Sequence, residues 1–262
     1  MNRMTNYYFP KGMRPSTLKE RLAFYAEEFR LDKVAEWFKG RKDKIQFAVI
    51  IGRHTKIYLK EYAEDFSTTI IIDDYEDLND VKNQIIEFLP EGVYYDRNIY
   101  DDDGEVVGQE LAFDLDPENI TCPIHGSLED KMQRNQGLSF CELEFQMIKD
   151  QTVSLYEYLE GLFSKLKIVY SGRGFHIHVF DDDAYQLKFK DREAIAKDVK
   201  VKGFPIDTWV TTGDMRLIRL PYSLNGLVSR IVIPLSKSEM KDFDPTEDPR
   251  CIPDFAKRSI LH

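Results

Sequence analysis

The stretch Glu-Leu-Ala-Phe-Asp-Leu-Asp at residues 110–116 is the most informative part of this chain, because acidic and apolar residues alternate toward its end. Alternation with a period of two is typical of a β-strand, in which residues i and i+2 face the same side. Asp114 and Asp116 should therefore point together, away from a core. Neighbouring carboxylates repel unless they share a cation, and oxygen ligands suit Mg²⁺ or Mn²⁺. The motif predicts a divalent-metal site; two exposed aspartates at a strand end are the alternative.

A glycine-rich turn follows downstream, in Tyr-Ser-Gly-Arg-Gly-Phe-His-Ile-His at residues 170–178. One strand should enter the Gly-Arg-Gly turn and another should leave it. Glycine lets backbone N–H groups approach a phosphate closely, and Arg173 adds a fork of donors. His176 and His178 share one strand face. The motif predicts a phosphate-binding turn; a hairpin with a basic tip and two half-exposed histidines is the alternative.

A third polar segment begins at Asp207, near the start of a predicted strand over residues 206–212. Arg216 and Arg219 follow nine and twelve residues after it. Two arginines near a carboxylate-bound metal could hold a triphosphate, because guanidinium groups bind phosphate oxygens strongly. The alternative is that both arginines form salt bridges with Asp207 and Asp214.

Charge is unevenly distributed along the 262 residues, whose net charge is −10. Residues 1–60 hold 14 Lys/Arg and 6 Asp/Glu, whereas residues 61–118 hold 2 Lys/Arg and 19 Asp/Glu. A basic region beside an acidic one suits a site where divalent metals meet polyanions. An ordinary acidic surface is the alternative.

Composition excludes several classes of protein. Hydrophobic residues make up 42% of the chain, which is enough for a core and too many for a disordered chain. The apolar run at residues 45–51 is far shorter than the roughly 20 residues that span a bilayer. Three cysteines, an odd number, argue against a secreted disulfide scaffold. We therefore expect no membrane partner and an intracellular location.

Hydrophobic spacing predicts a mixture of helices and strands. Helices are expected over residues 17–38 (as one helix or two), 76–89, 141–166 and 191–200. Strands are expected over residues 45–51, 56–60, 67–72, 92–100, 109–116, 168–171, 175–180, 206–212, 217–220 and 230–235. The order has no regular βαβ rhythm, so it favours an α+β fold. We expect one domain over residues 1–262, with an irregular tail over residues 236–262 docked on its body.

Taken together, the three motifs resemble the archaeo-eukaryotic primase superfamily, in particular the small catalytic subunit of archaeal and eukaryotic DNA primases. The first family motif, an apolar strand with Asp-x-Asp, matches Asp114 and Asp116. The second, a Ser-Gly-Arg turn followed by a histidine, matches residues 171–176, and the third matches Asp207. The family's basic strand matches residues 217–224. The resemblance implies an α+β primase small-subunit catalytic core with mixed or antiparallel sheets flanked by helices.

The resemblance also implies a role for each matched residue. Asp114, Asp116 and Asp207 are the expected catalytic residues, and they would bind two Mg²⁺ or Mn²⁺ ions. The expected nucleotide-binding residues are Ser171, Arg173, Gly174, His176, Arg216 and Arg219. Two departures stand out. Only 30 residues separate His176 from Asp207, which indicates a trimmed core, and Asn225 stands where many relatives have a histidine that reaches the triphosphate.

The activity implied is that of a DNA primase catalytic subunit, and we expect it in the cytoplasm or nucleoid of a prokaryote. Such a nucleotidyltransferase makes short primers from nucleoside triphosphates on a single-stranded DNA template, and its implied partner is a primase large subunit, with which it forms a heterodimer. Three alternatives stay open: a standalone primase-polymerase of repair or of a mobile element, a non-catalytic nucleic-acid-binding subunit, and a metal-dependent nuclease that uses the same carboxylates.

A fourth group of residues lies between the first two motifs, where related primases carry a structural zinc knob. Cys122-x-x-His125 is separated from Cys141-x-x-Glu144 by fifteen residues, within a candidate insertion over residues 119–145. Two thiolates, an imidazole and a carboxylate can complete a tetrahedron around Zn²⁺. These residues predict one structural Zn²⁺; two unpaired cysteines and a loop histidine are the alternative.

Overall fold

The computed structural model describes residues 6–260. The helices in this range are α1 (Leu18–Ala23), α2 (Leu31–Trp37), α3 (Leu78–Phe88), α4 (Leu128–Gln133), α5 (Glu142–Leu159), α6 (Asp182–Tyr185), α7 (Phe189–Val201), α8 (Thr208–Thr212), α9 (Lys237–Met240) and α10 (Asp254–Ile260). The strands are β1 (Phe47–Ile50), β2 (Thr69–Ile72), β3 (Gly92–Asp96), β4 (Asn98–Tyr100), β5 (Val106–Gln109), β6 (Leu111–Leu115), β7 (Leu166–Tyr170), β8 (Phe175–Val179), β9 (Leu217–Arg219), β10 (Leu224–Asn225), β11 (Arg230–Ile231) and β12 (Ile233–Leu235). Short turns of other helix types lie at Phe24–Glu28, Lys60–Tyr62 and Pro117–Asn119.

The described chain forms two compact units. Of the described residues, the first unit comprises 6–11, 109–215 and 234–243. The second unit comprises 12–108, 216–233 and 244–260. The candidate insertion over residues 119–145 belongs to the first unit. The single catalytic domain expected over residues 1–262 stays a prediction.

A four-stranded sheet in the order β12-β7-β8-β6 forms the centre of the first unit. β8 pairs antiparallel with β6 and with β7, and every residue of β8 is buried. α5 packs on this sheet, and the rings of Phe145, Tyr170, Phe175 and Phe243 contact one another there. Burying one such side chain contributes roughly 1.5–3 kcal/mol. This core fixes β6 and β8, which carry much of the predicted site.

Another four-stranded sheet, in the order β2-β1-β3-β9, forms the centre of the second unit. β1 is buried along its whole length and pairs antiparallel with β2 and β3. α3 begins at Asp77, whose side chain accepts hydrogen bonds from the first N–H groups of the helix. Arg21 is fully buried, and its guanidinium donates to three backbone carbonyls and to the Thr55 hydroxyl. These bonds offset the cost of burying its charge.

The predicted α+β class is confirmed, because helices accompany antiparallel sheets in both units. The expected helix start is also confirmed: the Thr17 side chain accepts the Glu20 N–H at 3.3 Å, and the Glu20 carboxylate accepts the Thr17 N–H at 2.8 Å. The predicted helical region after Thr17 consists of two helices, separated by a π-helical turn at Phe24–Glu28. None of the helices within residues 6–260 combines the length and the apolar character that crossing a bilayer requires.

The strand predicted over residues 206–212 is wrong, because residues from Thr208 form helix α8. The Asp207 side chain accepts the Trp209 N–H at 2.9 Å and so caps the start of the helix. Gly213, with a φ of 98°, ends it in the left-handed region that favours glycine. Capping and termination outweigh the β-propensity of the threonines and valine in between.

Other predicted elements are shorter than expected. Residues 56–60 form no strand, and Lys56 has a φ of 58°, which a strand does not allow. α5 ends at Leu159 rather than at residue 166. The strand predicted over residues 92–100 is divided into β3 and β4, and the one over residues 230–235 is divided into β11 and β12.

The expected irregular tail contains two helices, α9 and α10. Part of it docks within the first unit as predicted: the Lys149 ammonium on α5 donates to the carbonyls of Lys241 and Phe243, at 3.1 and 2.8 Å. A capping box at Ser236 starts α9. A local capping box therefore begins a helix in a segment whose polar composition predicted irregular structure.

Candidate active site

The predicted metal ligands Asp114 and Asp116 lie at the end of β6, which pairs with β8. The register of this pair places Asp114 opposite His176. His176 Nε2 lies 3.6 Å from Asp114 Oδ1. That oxygen is buried and accepts no hydrogen bond within residues 6–260. A buried carboxylate oxygen without a donor is costly unless a proton or a cation satisfies it.

Asp207 lies beside this strand end. Its backbone N–H donates to the Asp114 carbonyl oxygen at 2.9 Å, although the two residues are far apart in the sequence. Burial, followed by the negative charges of Asp116, Asp207 and Glu118, raises the pKa of Asp114 well above its ordinary value. Like charges disfavour ionisation in this way only at short range. The structure therefore brings the three predicted carboxylates together.

Arg173 lies in the glycine-rich turn and is buried. Its Nη2 donates to Asp116 Oδ1 at 2.8 Å and to Glu118 Oε1 at 2.6 Å. Burial alone would lower the pKa of Arg173, but the charges of Asp116 and Glu118 raise it. Glu118 was not predicted as a site residue, although its position two residues after Asp116 could have indicated a third carboxylate beside the motif. Contact of Arg173 with a triphosphate stays a prediction.

Ser171 and Gly174 close the turn that leads into β8. The Ser171 N–H donates to the Gly174 carbonyl at 3.0 Å, and the Gly174 N–H donates to the Ser171 hydroxyl at 3.2 Å. A Cβ atom at Gly174 would lie 2.1 Å from the Leu115 carbonyl oxygen, so only glycine fits there. Both residues hold the turn against β6, and their predicted contact with phosphate stays a prediction.

His178 lies on the same face of β8 as His176, and their ring centroids are 5.7 Å apart. Its Nδ1 lies 2.6 Å from Glu110 Oε1, and both residues of this pair are buried. The sequence predicted that the two histidines share a strand face, and the alternative interpretation, a hairpin with a basic tip, had both half-exposed. The strand register instead places both in the interior.

Arg216 and Arg219 belong to the second unit. Arg216 Nη1 lies 2.7 Å from Asp96 Oδ2 and donates to the Tyr100 hydroxyl at 2.9 Å. The Arg219 guanidinium stacks 4.7 Å above the Tyr94 ring and donates to the Tyr94 hydroxyl at 2.8 Å. Its buried Nη1 has no hydrogen-bond partner within the described part of the chain. Triphosphate binding by both arginines stays a prediction.

The carboxylate group fits a hard divalent cation. Its donors are oxygen atoms, and one of them, Asp114 Oδ1, is buried without a hydrogen-bond donor among residues 6–260. Mg²⁺ and Mn²⁺ prefer carboxylate oxygens. A bound cation would also relieve the repulsion that raises the pKa of Asp114.

The second candidate metal group is Cys122, His125, Cys141 and Glu144, whose ligand atoms lie within 4.8 Å of one another. Cys122 Sγ is 3.9 Å from Cys141 Sγ and 3.4 Å from His125 Nδ1. A tetrahedral Zn²⁺ site with ordinary bond lengths requires about 3.8 Å between two sulfurs and about 3.6 Å between sulfur and nitrogen. The spacing of the four ligand atoms is therefore compatible with a tetrahedral zinc ion. Zinc binding at this group stays a prediction.

Comparison with known proteins places the chain in a family. An uncharacterized DNA primase small subunit-like protein of Archaeoglobus fulgidus is 53% identical to it, across 95% of this chain and 94% of that protein. The chain belongs to the DNA primase small subunit-like family. No protein-family model matches this primase small subunit-like chain.

More distant relatives are named as DNA primase small subunits. The DNA primase small subunit PriS of Pyrococcus furiosus is 28% identical, across 70% of this chain and 48% of the relative. That of Pyrobaculum calidifontis is 25% identical, across 64% of this chain and 67% of the relative. The primase small subunit-like chain therefore spans about half the length of the Pyrococcus protein.

A solved structure shows the same fold. The polymerase domain of Mycobacterium tuberculosis Ligase D, solved in complex with DNA, superposes with a TM-score of 0.55 at 17% identity. The match covers 94% of this primase small subunit-like chain and 88% of that domain. The α+β fold expected from the sequence is thus shared with that solved domain.

Proposed function

We propose that this chain is a primase-type nucleotidyltransferase that makes short primers from nucleoside triphosphates on single-stranded DNA. Membership of the primase small subunit-like family supports the reaction class. One observation carries the proposal: Asp114, Asp116 and Asp207 converge at one strand end, and a buried oxygen of Asp114 lacks a hydrogen-bond donor within residues 6–260. Such a group is suited to hold cations against a polyphosphate.

In this reaction a 3′-hydroxyl attacks the α-phosphate of a nucleoside triphosphate, a phosphodiester bond forms, and pyrophosphate leaves. Asp114, Asp116 and Asp207 would hold two Mg²⁺ or Mn²⁺ ions. When bound, such ions supply positive charge that favours loss of the hydroxyl proton and stabilises the leaving pyrophosphate. The remaining contribution of the protein is positioning and charge, which account for most of the catalysis in phosphoryl-transfer enzymes.

The neighbouring residues keep the carboxylates in place. Arg173 holds the Asp116 carboxylate in place through a hydrogen bond of 2.8 Å. His176, at 3.6 Å from Asp114, borders the same group and would donate to a phosphate oxygen of the nucleotide. Ser171 and Gly174 hold the turn that positions both side chains.

Primer synthesis tests the proposal directly. Purified protein is incubated with a single-stranded template and labelled nucleoside triphosphates, with and without Mn²⁺. We expect template-dependent products in the wild type and none above background with Asp114→Asn. Asp102→Asn, a change in an exposed turn, is the matched control and should retain full synthesis.

Each alternative gives a different result in the same experiment. Extension with deoxynucleotides in the absence of any other subunit would identify a standalone primase-polymerase. Shortening of a labelled template without incorporation would identify a nuclease. Template binding without either reaction would identify a non-catalytic subunit, and would contradict the proposal.

A primase large subunit is the proposed protein partner, because small subunits of this type work as heterodimers. Co-purification from the native source tests this part separately. A stoichiometric second protein that increases primer synthesis would support it. Full primer synthesis by the single chain, with no copurifying protein, would contradict it without affecting the proposed chemistry.

A further inference from the structure

Lys131 on α4 is fully buried inside the first unit. Its ammonium donates to Glu144 Oε1 at 2.6 Å and to the Ser139 carbonyl at 3.1 Å. Lysine is almost never fully buried unless it is paired, and a buried ion pair does not by itself stabilise a fold. The pair therefore calls for an explanation beyond packing.

The two oxygens of Glu144 are used differently. Oε1 accepts the Lys131 ammonium, whereas Oε2 accepts the Cys141 N–H at 2.9 Å and lies 4.0 Å from His125 Nδ1. Oε2 therefore points toward the group formed with Cys122. Because Oε1 faces the Lys131 ammonium and Oε2 faces His125, Oε2 is the oxygen placed to bind a metal ion.

The net charge of the metal-bound group also requires a neighbouring cation. Two thiolates and one carboxylate around a Zn²⁺ ion leave a net charge of minus one. Glu144 is fully buried and Cys122 is buried, so an unbalanced charge there would be costly. Lys131 supplies one positive charge in contact with the carboxylate. The metal-bound group together with Lys131 is neutral.

We propose that Lys131 is a positioning residue of the zinc site. It holds Glu144 so that the carboxylate binds through Oε2 alone, and it balances the charge of a site in which a carboxylate replaces a thiolate. Groups that orient metal ligands in this way typically change metal affinity by 10- to 100-fold when they are removed. Sequence spacing could not show this role, because Lys131 lies outside the Cys-x-x-His and Cys-x-x-Glu pairs.

Zinc affinity, measured by competition with a chromophoric chelator on the full chain, tests the proposal. We expect Lys131→Met to weaken zinc binding by at least about 10-fold. Lys149→Met is the matched control: Lys149 is also buried, and its ammonium donates to the backbone carbonyls of Lys241 and Phe243. This control should lose stability and keep its zinc affinity. Equal zinc affinity in wild type and Lys131→Met would overturn the proposal.

The Co²⁺-loaded protein gives a spectroscopic readout that loss of packing does not move. Absorption bands of tetrahedral Co²⁺ should shift in Lys131→Met, because the carboxylate is free to bind through both oxygens, and should stay unchanged in Lys149→Met. Identical bands in all three proteins would contradict the proposed positioning. A wild-type protein that holds no zinc and takes up none on titration would also overturn it.

Lys131→Met could fail to fold, and the wild type then provides the test. In protein labelled with ¹⁵N-lysine, the buried Lys131 ammonium should give a protected signal. Removing zinc with a chelator should shift that signal, since the charge beside Glu144 changes. A Lys131 signal that is identical with and without zinc would overturn the proposal.

Discussion

The pKa values of two carboxyl groups, those of Glu91 and Asp114, are shifted in opposite directions. Glu91 in the second unit accepts the N–H groups of His54 and Thr55 at 3.0 and 2.7 Å, and one oxygen lies 2.5 Å from the His54 ring. Burial alone would raise the pKa of Glu91, but the His54 ring and the other donors lower it to about 2. Asp114 has a buried oxygen without a donor within residues 6–260, and burial and neighbouring aspartates raise its pKa.

The difference separates a structural carboxylate from one suited to bind a cation. Donors that already surround Glu91 stabilise its charge, so the folded protein needs nothing else there. Asp114 instead faces like charges, and its ionised form is stable only when a positive charge arrives. Both residues carry a buried carboxylate oxygen, so burial by itself does not identify a functional site; the balance of donors does.

The largest expected effect is on activity. Asp114→Asn should lower nucleotide incorporation by at least about 100-fold, because it removes a charge arranged for the transition state. The same variant should be more stable than the metal-free wild type, since the repulsion from Asp116 and Asp207 disappears. Primer synthesis and denaturant unfolding measure the two effects. Near-normal incorporation would show that Asp114 is as structural as Glu91.

Glu91→Gln should show the reverse pattern. One hydrogen bond to a charged carboxylate contributes roughly 1.5–3 kcal/mol. The free energy of unfolding should therefore fall by at least the value of one such bond. The folded fraction should keep its specific incorporation rate. Glu87→Gln, on the exposed side of α3, is the control and should change neither quantity. Wild-type stability in Glu91→Gln would show that the donors around Glu91 do not stabilise the fold through its charge.

Arg173 and Arg219 differ among the cations as Glu91 and Asp114 differ among the carboxylates, and Arg219→Ala tests this difference. Arg173 has two carboxylate partners, whereas the buried Nη1 of Arg219 has no hydrogen-bond partner in the described chain. A charged contact with phosphate contributes roughly 1.5–3 kcal/mol, so nucleotide affinity should fall about 10- to 150-fold. Arg219→Lys should recover part of it, and Arg53→Ala should change nothing. Unchanged affinity in Arg219→Ala would exclude Arg219 from nucleotide binding.

The smallest expected effect is on the pH dependence of stability without metal. The raised pKa of Asp114 means that the folded state binds a proton more tightly than the unfolded state, so stability falls as pH rises from about 4 through the folded pKa. Asp114→Asn should lack this fall, and saturating Mn²⁺ should reduce it in the wild type. Free energies of unfolding measured between pH 4 and 9 check the effect of the variant and of Mn²⁺. If stability falls equally with pH in the wild type and in Asp114→Asn, repulsion between Asp114 and its neighbouring carboxylates is not the cause.

Glu91 should act with the opposite sign at lower pH. Its pKa is lowered to about 2, so its contribution to stability is fully present above the unfolded value and is lost as pH falls toward 2. Glu91→Gln should remove that acid-sensitive part of the curve. Equal acid sensitivity in the variant and the wild type would show that other carboxylates dominate acid unfolding.

Much of the candidate site was predictable because it depends on local pattern. Alternating polarity placed Asp114 and Asp116 on one strand face, and the glycines predicted a tight turn before His176. The sequence could not predict that Asp207 starts a helix, because the threonines and valine that follow it favour a strand and a capping hydrogen bond outweighs that preference.

By itself the sequence determined the α+β class, the pair Asp114 and Asp116, and the four candidate zinc ligands, since each follows from composition or from spacing within a short segment. Only the tertiary structure decided which charges are balanced. Asp207 reaches Asp114 through a backbone hydrogen bond, and Arg173, in the turn before β8, reaches Asp116 at the end of the neighbouring strand β6. Such contacts join residues distant in the chain, and their electrostatic effect depends on burial and distance, which packing of the whole unit sets.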